Sequence, residues 1–337
     1  MVTRLVFVIV VGLAGSLRAE PPAPVTPEIG RKAVERGLGF LRADAAKWRK
    51  EHTCATCHHG TMTVWALAEA KSRRYDVPPD ALTDAVKWTK ERLDRIDLPR
   101  DPRPGWSVLS TPALYLAVMA AAVAKQDVVS ADELKRVAGH LVRHQEADGS
   151  WAWSSAPAQN RPPPVFESDE IATRWVMAAL ASQVPADPKA KSDVRDARTK
   201  GAAWLAKTTP SDTTQALAVR LLGSALTEEP ARELMPLTDQ VLGRQSADGG
   251  WGQLAGAASD GYATGQALYA LALAGVPNDR AEVRRGVAFL VRTQKDDGSW
   301  PMTPRANPGA HPAKNPVPIT YFGSAWATLG LLRSVPK

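Results

Sequence analysis

Two cysteines in 337 residues are too few for a disulfide framework, and both fall in one short stretch, Cys54-Ala55-Thr56-Cys57-His58. Long apolar runs are scarce as well. The run from Leu5 to Leu13, behind Arg4, is too short to cross a bilayer as a helix, and no later segment reads as a membrane span. With the small residues that follow it, residues 1–19 read as a secretory signal, cleaved after Ser16 or Ala19, so export to a periplasmic or extracellular space is expected. A basic stripe with interleaved aromatic residues is also missing. The formal charge of +7 falls to about +5 when Arg4 and Arg18 leave with the signal, and the other basic residues are scattered, which gives nucleic-acid binding no support.

What the chain has instead is repetition. The stretches Gln145-Glu146-Ala147-Asp148-Gly149-Ser150-Trp151, Gln245-Ser246-Ala247-Asp248-Gly249-Gly250-Trp251 and Gln294-Lys295-Asp296-Asp297-Gly298-Ser299-Trp300 keep one internal spacing. Each follows a helical pattern, such as Val283 to Arg292. The Asp-Gly pair supplies a side-chain acceptor and a positive-φ residue that end the helix, the Gln amide can satisfy orphan groups there, and the Trp has apolar area to bury. Starts at 145, 245 and 294 fit a unit of about fifty residues with one degenerate copy between the first two. At that period, aromatic- or leucine-anchored outer segments recur around 37–41, 85–88, 138–141, 201–205, 238–242 and 286–290. Each is followed by an Ala-rich, more apolar segment, at 61–73, 111–124, 169–183, 212–226, 260–274 and 319–334. The result is six helix pairs.

These repeats resemble the "QW" repeats of the squalene-hopene cyclase and protein prenyltransferase superfamily, Q-x-x-D-G-[SG]-W. The likeness covers nearly the whole mature chain, with three strong copies and one remnant, Pro104-Gly105-Trp106. It implies an all-α (α/α)6 toroid, six inner helices around a central cavity and six outside. On this reading residues 20–28 are a Pro-rich linker and 29–337 a single toroid. Activity does not follow from the fold, because one toroid serves cyclases, prenyl-transfer subunits and non-enzymatic binding domains.

The cysteine stretch carries separate chemistry. C-x-x-C-H is the attachment sequence of c-type haem and resembles the cytochromes c over these five residues. The likeness implies thioethers at Cys54 and Cys57 and His58 as the axial ligand to iron. The same residues are compatible with a local Cys54–Cys57 disulfide, or with zinc held by Cys54, Cys57, His58 and His59 together with His52. The stretch lies between an outer and an inner segment, on the rim where other pairs carry the QW turn. The long loops 152–167 and 301–318 belong to that rim, so Met302 and His311 are candidate distal ligands, with Met62 a further one and His59 awkwardly close to the proximal ligand.

In the cyclases that the repeats resemble, a D-x-D-D motif at the start of an inner helix supplies the protonating acid. No D-x-D-D occurs here; the nearest counterpart is Pro210-Ser211-Asp212-Thr213-Thr214. Asp212, Asp169 and Asp260 each follow a Ser at an inner-helix start, where a Ser cap and an acidic first turn are what any helix prefers, yet the toroid would gather all three at one rim as the candidate catalytic carboxylates. The prenyltransferase zinc of that superfamily needs an Asp, a Cys and a His from later repeats, and no cysteine follows Cys57. Aromatic residues in the inner segments, Trp65, Trp175, Tyr262, Tyr269, Tyr321 and Trp326, suit a packed core or a carbocation-lined cavity. Three functions stand: a haem-bearing redox module that binds an apolar or extended ligand and meets a redox partner protein, a terpenoid cyclase acting on an isoprenoid with a non-standard acid, and a secreted interaction domain with a disulfide.

Overall fold

The computed structural model describes residues 25–52, 59–90, 129–152, 168–182, 187–227, 230–300, 302–303 and 317–336. Eleven helices lie among them: α1 (Pro27–Glu51), α2 (His59–Ser72), α3 (Pro79–Lys90), α4 (Ala131–Arg143), α5 (Asp169–Ser182), α6 (Pro188–Leu205), α7 (Thr214–Leu226), α8 (Ala231–Gly243), α9 (Gly261–Leu273), α10 (Ala281–Thr293) and α11 (Val317–Ser334). The starts are set locally. Thr26 accepts from the Ile29 amide just ahead of Pro27, so α1 takes in the last two residues of the expected linker. Ser130 and Glu133 form a reciprocal capping box for α4, and Asp187 caps α6 ahead of Pro188.

Burial separates the helices into two layers. α1, α3, α4, α6, α8 and α10 bury one stripe each; α1 hides Val34, Leu38, Leu41 and Ala45 while its charged residues other than Asp44 lie off that stripe. The helices between them are enclosed on all sides, and in α9 every residue from Gly261 to Leu271 is buried. An amphipathic helix covers a core, and one that is apolar all round must lie inside it. The inner helices α5, α7, α9 and α11 pack side by side in chain order, and α11 goes on to pack against both α1 and α2, so the last pair meets the first. The ring is closed, as the (α/α)6 reading requires. The inner segment expected at 111–124 and the remnant at 104–106 lie outside the described residues.

The QW turns are the staples of this ring. The Trp151, Trp251 and Trp300 indoles donate to Leu141 O at 2.8 Å, Val241 O at 2.7 Å and Leu290 O at 2.7 Å, near the end of the outer helix just completed. Their backbone amides donate to Thr173 Oγ1, Thr264 Oγ1 and Ser324 Oγ on the following inner helix. The Gln amides close the turn on Gly149 O, Gly249 O and Gly298 O and also reach the next outer helix, at Ala197 O, Glu282 O and Ala33 O. The last of these crosses the seam between the end of the array and its beginning. Each turn glycine has positive φ, and a Cβ on Gly149 would lie 2.6 Å from Lys200 O. Helical glycines receive the indoles: a Cβ on Gly286 would meet the Trp251 ring at 2.7 Å, one on Gly201 the Trp151 ring at 2.9 Å, and one on Gly37 the Trp300 ring at 3.0 Å.

Candidate functional site

Because the described inner helices start from the rim that carries the QW turns, their residues at matching depth face one another across the axis. At mid-depth the axis is filled by rings from four inner helices. Trp65 of α2 lies 5.6 Å from Trp175 of α5, 5.4 Å from Tyr269 of α9 and 5.1 Å from Trp326 of α11, mostly edge to face. Trp175 and Trp326, on opposite sides of the ring, are 6.4 Å apart. Edge-on packing sets the positive edge of one ring on the negative face of another. The Trp65 indole donates to the Tyr269 hydroxyl at 3.1 Å.

Below this aromatic floor, away from the rim, sits a charged clamp. Glu69 of α2 is buried and accepts from Arg73 at 3.1 Å and from Arg333 of α11 at 2.7 Å, tying the first inner helix to the last. Burial, and then the Glu69 charge, push the Tyr269 phenol up to about 12.

Toward the rim, α9 carries neutral polar side chains on this face. Tyr262 of α9 is fully buried and accepts from Gln215 Nε2 of α7 at 2.7 Å. One turn deeper, Gln266 is 2% exposed and neither atom of its amide has a hydrogen-bond partner.

The acids expected at the rim do three different things. Asp260 caps α9 itself, in place of Ser259: its Oδ1 accepts from Ala263 N at 2.8 Å and its Oδ2 from Gln253 Nε2 at 2.7 Å and Thr303 N at 2.9 Å. Burial pushes its carboxyl above the ordinary aspartate range, against the pull of those donors. Asp212 stands ahead of α7, which Thr213 and not Ser211 caps; its side chain is 81% exposed and pairs with Arg244 of α8. Asp169 opens α5 half-buried, while Ser168 Oγ accepts from Ile171 N. Sequence reasoning passed over Glu170, its neighbour, which is buried and joins Arg174 at 3.0 Å, Arg220 of α7 at 2.9 Å and the Ser211 amide at 2.7 Å. These contacts hold its carboxyl below the usual range against burial, the largest influence on it.

Cys54, Cys57, His58 and His311 lie outside the described residues. The residues on either side of the cysteine stretch, His52 and His59, are described. Between α1 and α2, His59 stacks on Trp48 at 4.4 Å, Trp48 on His52 at 3.6 Å, and Tyr321 leans on His59 at 3.9 Å. His59 Nε2 donates to Asp44 Oδ2 at 2.9 Å, and burial pulls the imidazole below its ordinary value. Met302 is buried in the hydrophobic core, next to the Thr303 amide that holds Asp260. Met62 is buried in α2. Among the described residues no three His, Cys, Asp or Glu side chains are grouped so as to hold a metal ion, and no helix is long and apolar enough to cross a membrane.

No family model matches the chain. Over 94 residues it is 33% identical to a squalene–hopene cyclase of Zymomonas mobilis subsp. mobilis, a match that takes in 28% of this chain and spans only 14% of that protein's length. Among solved structures it is similar to a type II terpene cyclase from Scytonema, at 15% identity and a TM-score of 0.51, covering 92% of this chain and 98% of that one. It is also similar to a family 88 glycosyl hydrolase from Bacteroides vulgatus, at 13% identity and 0.58 over 92% and 99%. An unsaturated glucuronyl hydrolase from Bacillus sp. GL1 gives 14% and 0.56 over 90% and 96%. The fold is therefore the all-α toroid that terpene cyclases share with these hydrolases. At such identities the likeness establishes architecture, and chemistry has to be argued from the side chains.

Proposed function

We propose that this chain is an exported toroid that seats an apolar ligand on its axis and carries a covalent c-type haem at its rim, through Cys54 and Cys57, with His58 as the axial imidazole. The observation that carries the reading is the join in which the C-x-x-C-H segment falls. α1 ends at Glu51 and α2 starts at His59, so the segment occupies the position that a QW turn holds in three other pairs. Its flanks are the stacked rings of Trp48, His52, His59 and Tyr321. The donor set of two thiols and an imidazole suits covalent attachment of a haem. His59 is already bonded to Asp44 and stacked on Trp48, which leaves His58 for the iron. Bound haem supplies one-electron chemistry. The residues around it have a positioning role: Asp44 fixes the ring directly after the axial histidine, and the rigid start of α2 fixes the backbone behind it.

The axial rings support the apolar ligand, and the similar Scytonema cyclase is a complex with geranylgeranyl dihydroxybenzoate. Cyclisation is the second reading. Asp260 favours it, as a buried carboxyl at an inner-helix start whose burial raises it, although the three N–H groups it accepts from favour its charged form.

Expression with its signal, in a host that matures cytochromes c, tests the haem. The expected product has a Soret band that survives denaturation and an intact mass increased by one haem, and Cys54→Ala and Cys57→Ala abolish stable attachment. A colourless protein lighter by a pair of hydrogens would mean a disulfide and defeat the haem reading. Incubation with squalene and with a geranylgeranyl arene, followed by product analysis of wild type and Asp260→Asn, tests cyclisation.

A further inference from the structure

We propose that α9, on the rim side of the aromatic floor, meets a bound apolar molecule ending in an uncharged group that both donates and accepts, a carboxamide or an alcohol, and that Gln266 reads that group. This rests on the reading of the toroid as an apolar-ligand binder and narrows it to one chemical class.

Gln266 is placed by its register in α9. Tyr262, four residues before it, bonds to Gln215 of α7, and Tyr269, three residues after it, packs on Trp65 and Trp326 in the floor. Residues at this spacing share one helix face. The other faces are taken: Gly265 lies against the Trp326 backbone of α11, and Leu268 reaches to Gly286 of α10. Gln266 therefore shares the stripe of α9 that carries Tyr262 and Tyr269, one turn toward the rim from the rings.

Its environment is what identifies the ligand. Gln266 is buried with both Nε2 and Oε1 unbonded, in a helix whose other buried polar side chains at this depth are bonded, as in the Thr264 contact with Trp251. Burying an amide without partners is costly, so such a group is retained where a bound molecule completes it. A carboxamide facing outward offers one donor beside one acceptor. That pair is matched by a second amide or a hydroxyl, and only half matched by an ether or a carboxylate. Charge is disfavoured further because the buried ionic groups are already engaged: Glu69 with Arg73 and Arg333 below the floor, Glu170 with Arg174 and Arg220 toward the rim, and Asp260 with three N–H donors.

Calorimetric titration of the wild-type protein and Gln266→Leu with octanamide, 1-methoxyoctane and octanoate tests the assignment. Wild type is expected to bind octanamide about tenfold more tightly than the other two, the worth of one or two hydrogen bonds. In Gln266→Leu the amide should fall to within about twofold of the ether, whose own affinity holds. The ligand-free variant should also melt about 2 °C higher, since an orphaned buried amide has been removed. An unchanged amide preference in the variant, equal binding of octanoate, or a lower melting temperature each overturns the role of Gln266. If the ether binds and the amide gains nothing, the polar reader alone is wrong; if none of the three binds, the apolar-ligand reading falls with it.

Discussion

Cutting the staple that closes the ring should loosen its first helix before anything else. The Gln294 side chain donates to Gly298 O at 3.1 Å and, across the seam, to Ala33 O of α1 at 2.9 Å. Gln294→Ala removes both bonds, of which only the one to Ala33 O spans the seam, so the seam should weaken by about 1 kcal/mol. At 1.4 kcal/mol per factor of ten, that is about fivefold in any opening equilibrium that parts α1 from α10 and α11. Trp300→Ala goes further. The ring is 1% exposed, seats on Gly37 and donates to Leu290 O, so the loss should be about 3–5 kcal/mol for the cavity with a smaller addition for the orphaned carbonyl. Hydrogen exchange followed peptide by peptide is the assay. In Gln294→Ala, amides of α1 should exchange about five times faster, while those of α7, three pairs away, keep their rates. The matching cut inside the array, Gln245→Ala, should spare α1 and loosen α10, which Gln245 reaches at Glu282 O. If both variants loosen the whole chain equally, or if Gln294→Ala leaves α1 untouched, the seam is not held as described.

Other outcomes follow from single groups. Gly286→Ala should destabilise by about 1–3 kcal/mol, because its Cβ would sit 2.7 Å from the buried Trp251 ring. Gly223→Ala, in α7 with nothing within 4 Å of the new carbon, should stabilise by up to about 1 kcal/mol, and paired thermal melts distinguish the two. Glu69→Ala should cost about 3 kcal/mol in denaturant titration by leaving Arg73 and Arg333 uncompensated, whereas Glu69→Gln should cost less. The carboxyls of Asp148 and Asp297 are held below the ordinary aspartate range by hydrogen bonds from Ser150 and Ser299. Their folded pKa values are the lower ones, so their contribution is full above the unfolded value and fades as pH falls through the folded one. Melting temperature should drop below about pH 4, and Asp148→Asn with Asp297→Asn should flatten that drop modestly, since both groups are largely exposed.

The acids show where sequence reasoning stopped. Ser-Asp at an inner-helix start reads the same at 168, 211 and 259, yet Asp169 opens its helix, Asp212 stands outside and pairs with Arg244, and Asp260 is itself the buried cap. Identical dipeptides diverge because the cap goes to whichever oxygen reaches the free amides, which the dipeptide by itself does not set. Glu170 could have been noticed from its i, i+4 spacing to Arg174, but its partner Arg220 is fifty residues away and only the packing of α5 on α7 brings it near. Gln266 had no signal at all: one polar residue in an apolar helix says nothing about whether a partner awaits it.

From residue spacing alone come the repeat, the six pairs, the layer each helix occupies and the turn chemistry of Gln, Asp-Gly and Trp. These are set by local contacts and by helical period, which a chain carries in its order of residues. Tertiary structure alone decides that Gln294 finds Ala33, that four rings from α2, α5, α9 and α11 meet on the axis, and that Glu69 pairs with Arg333. Such pairings join residues up to 264 positions apart, and no short-range preference can specify them; they exist because the curvature of each stapled pair accumulates until the ends of the array come together.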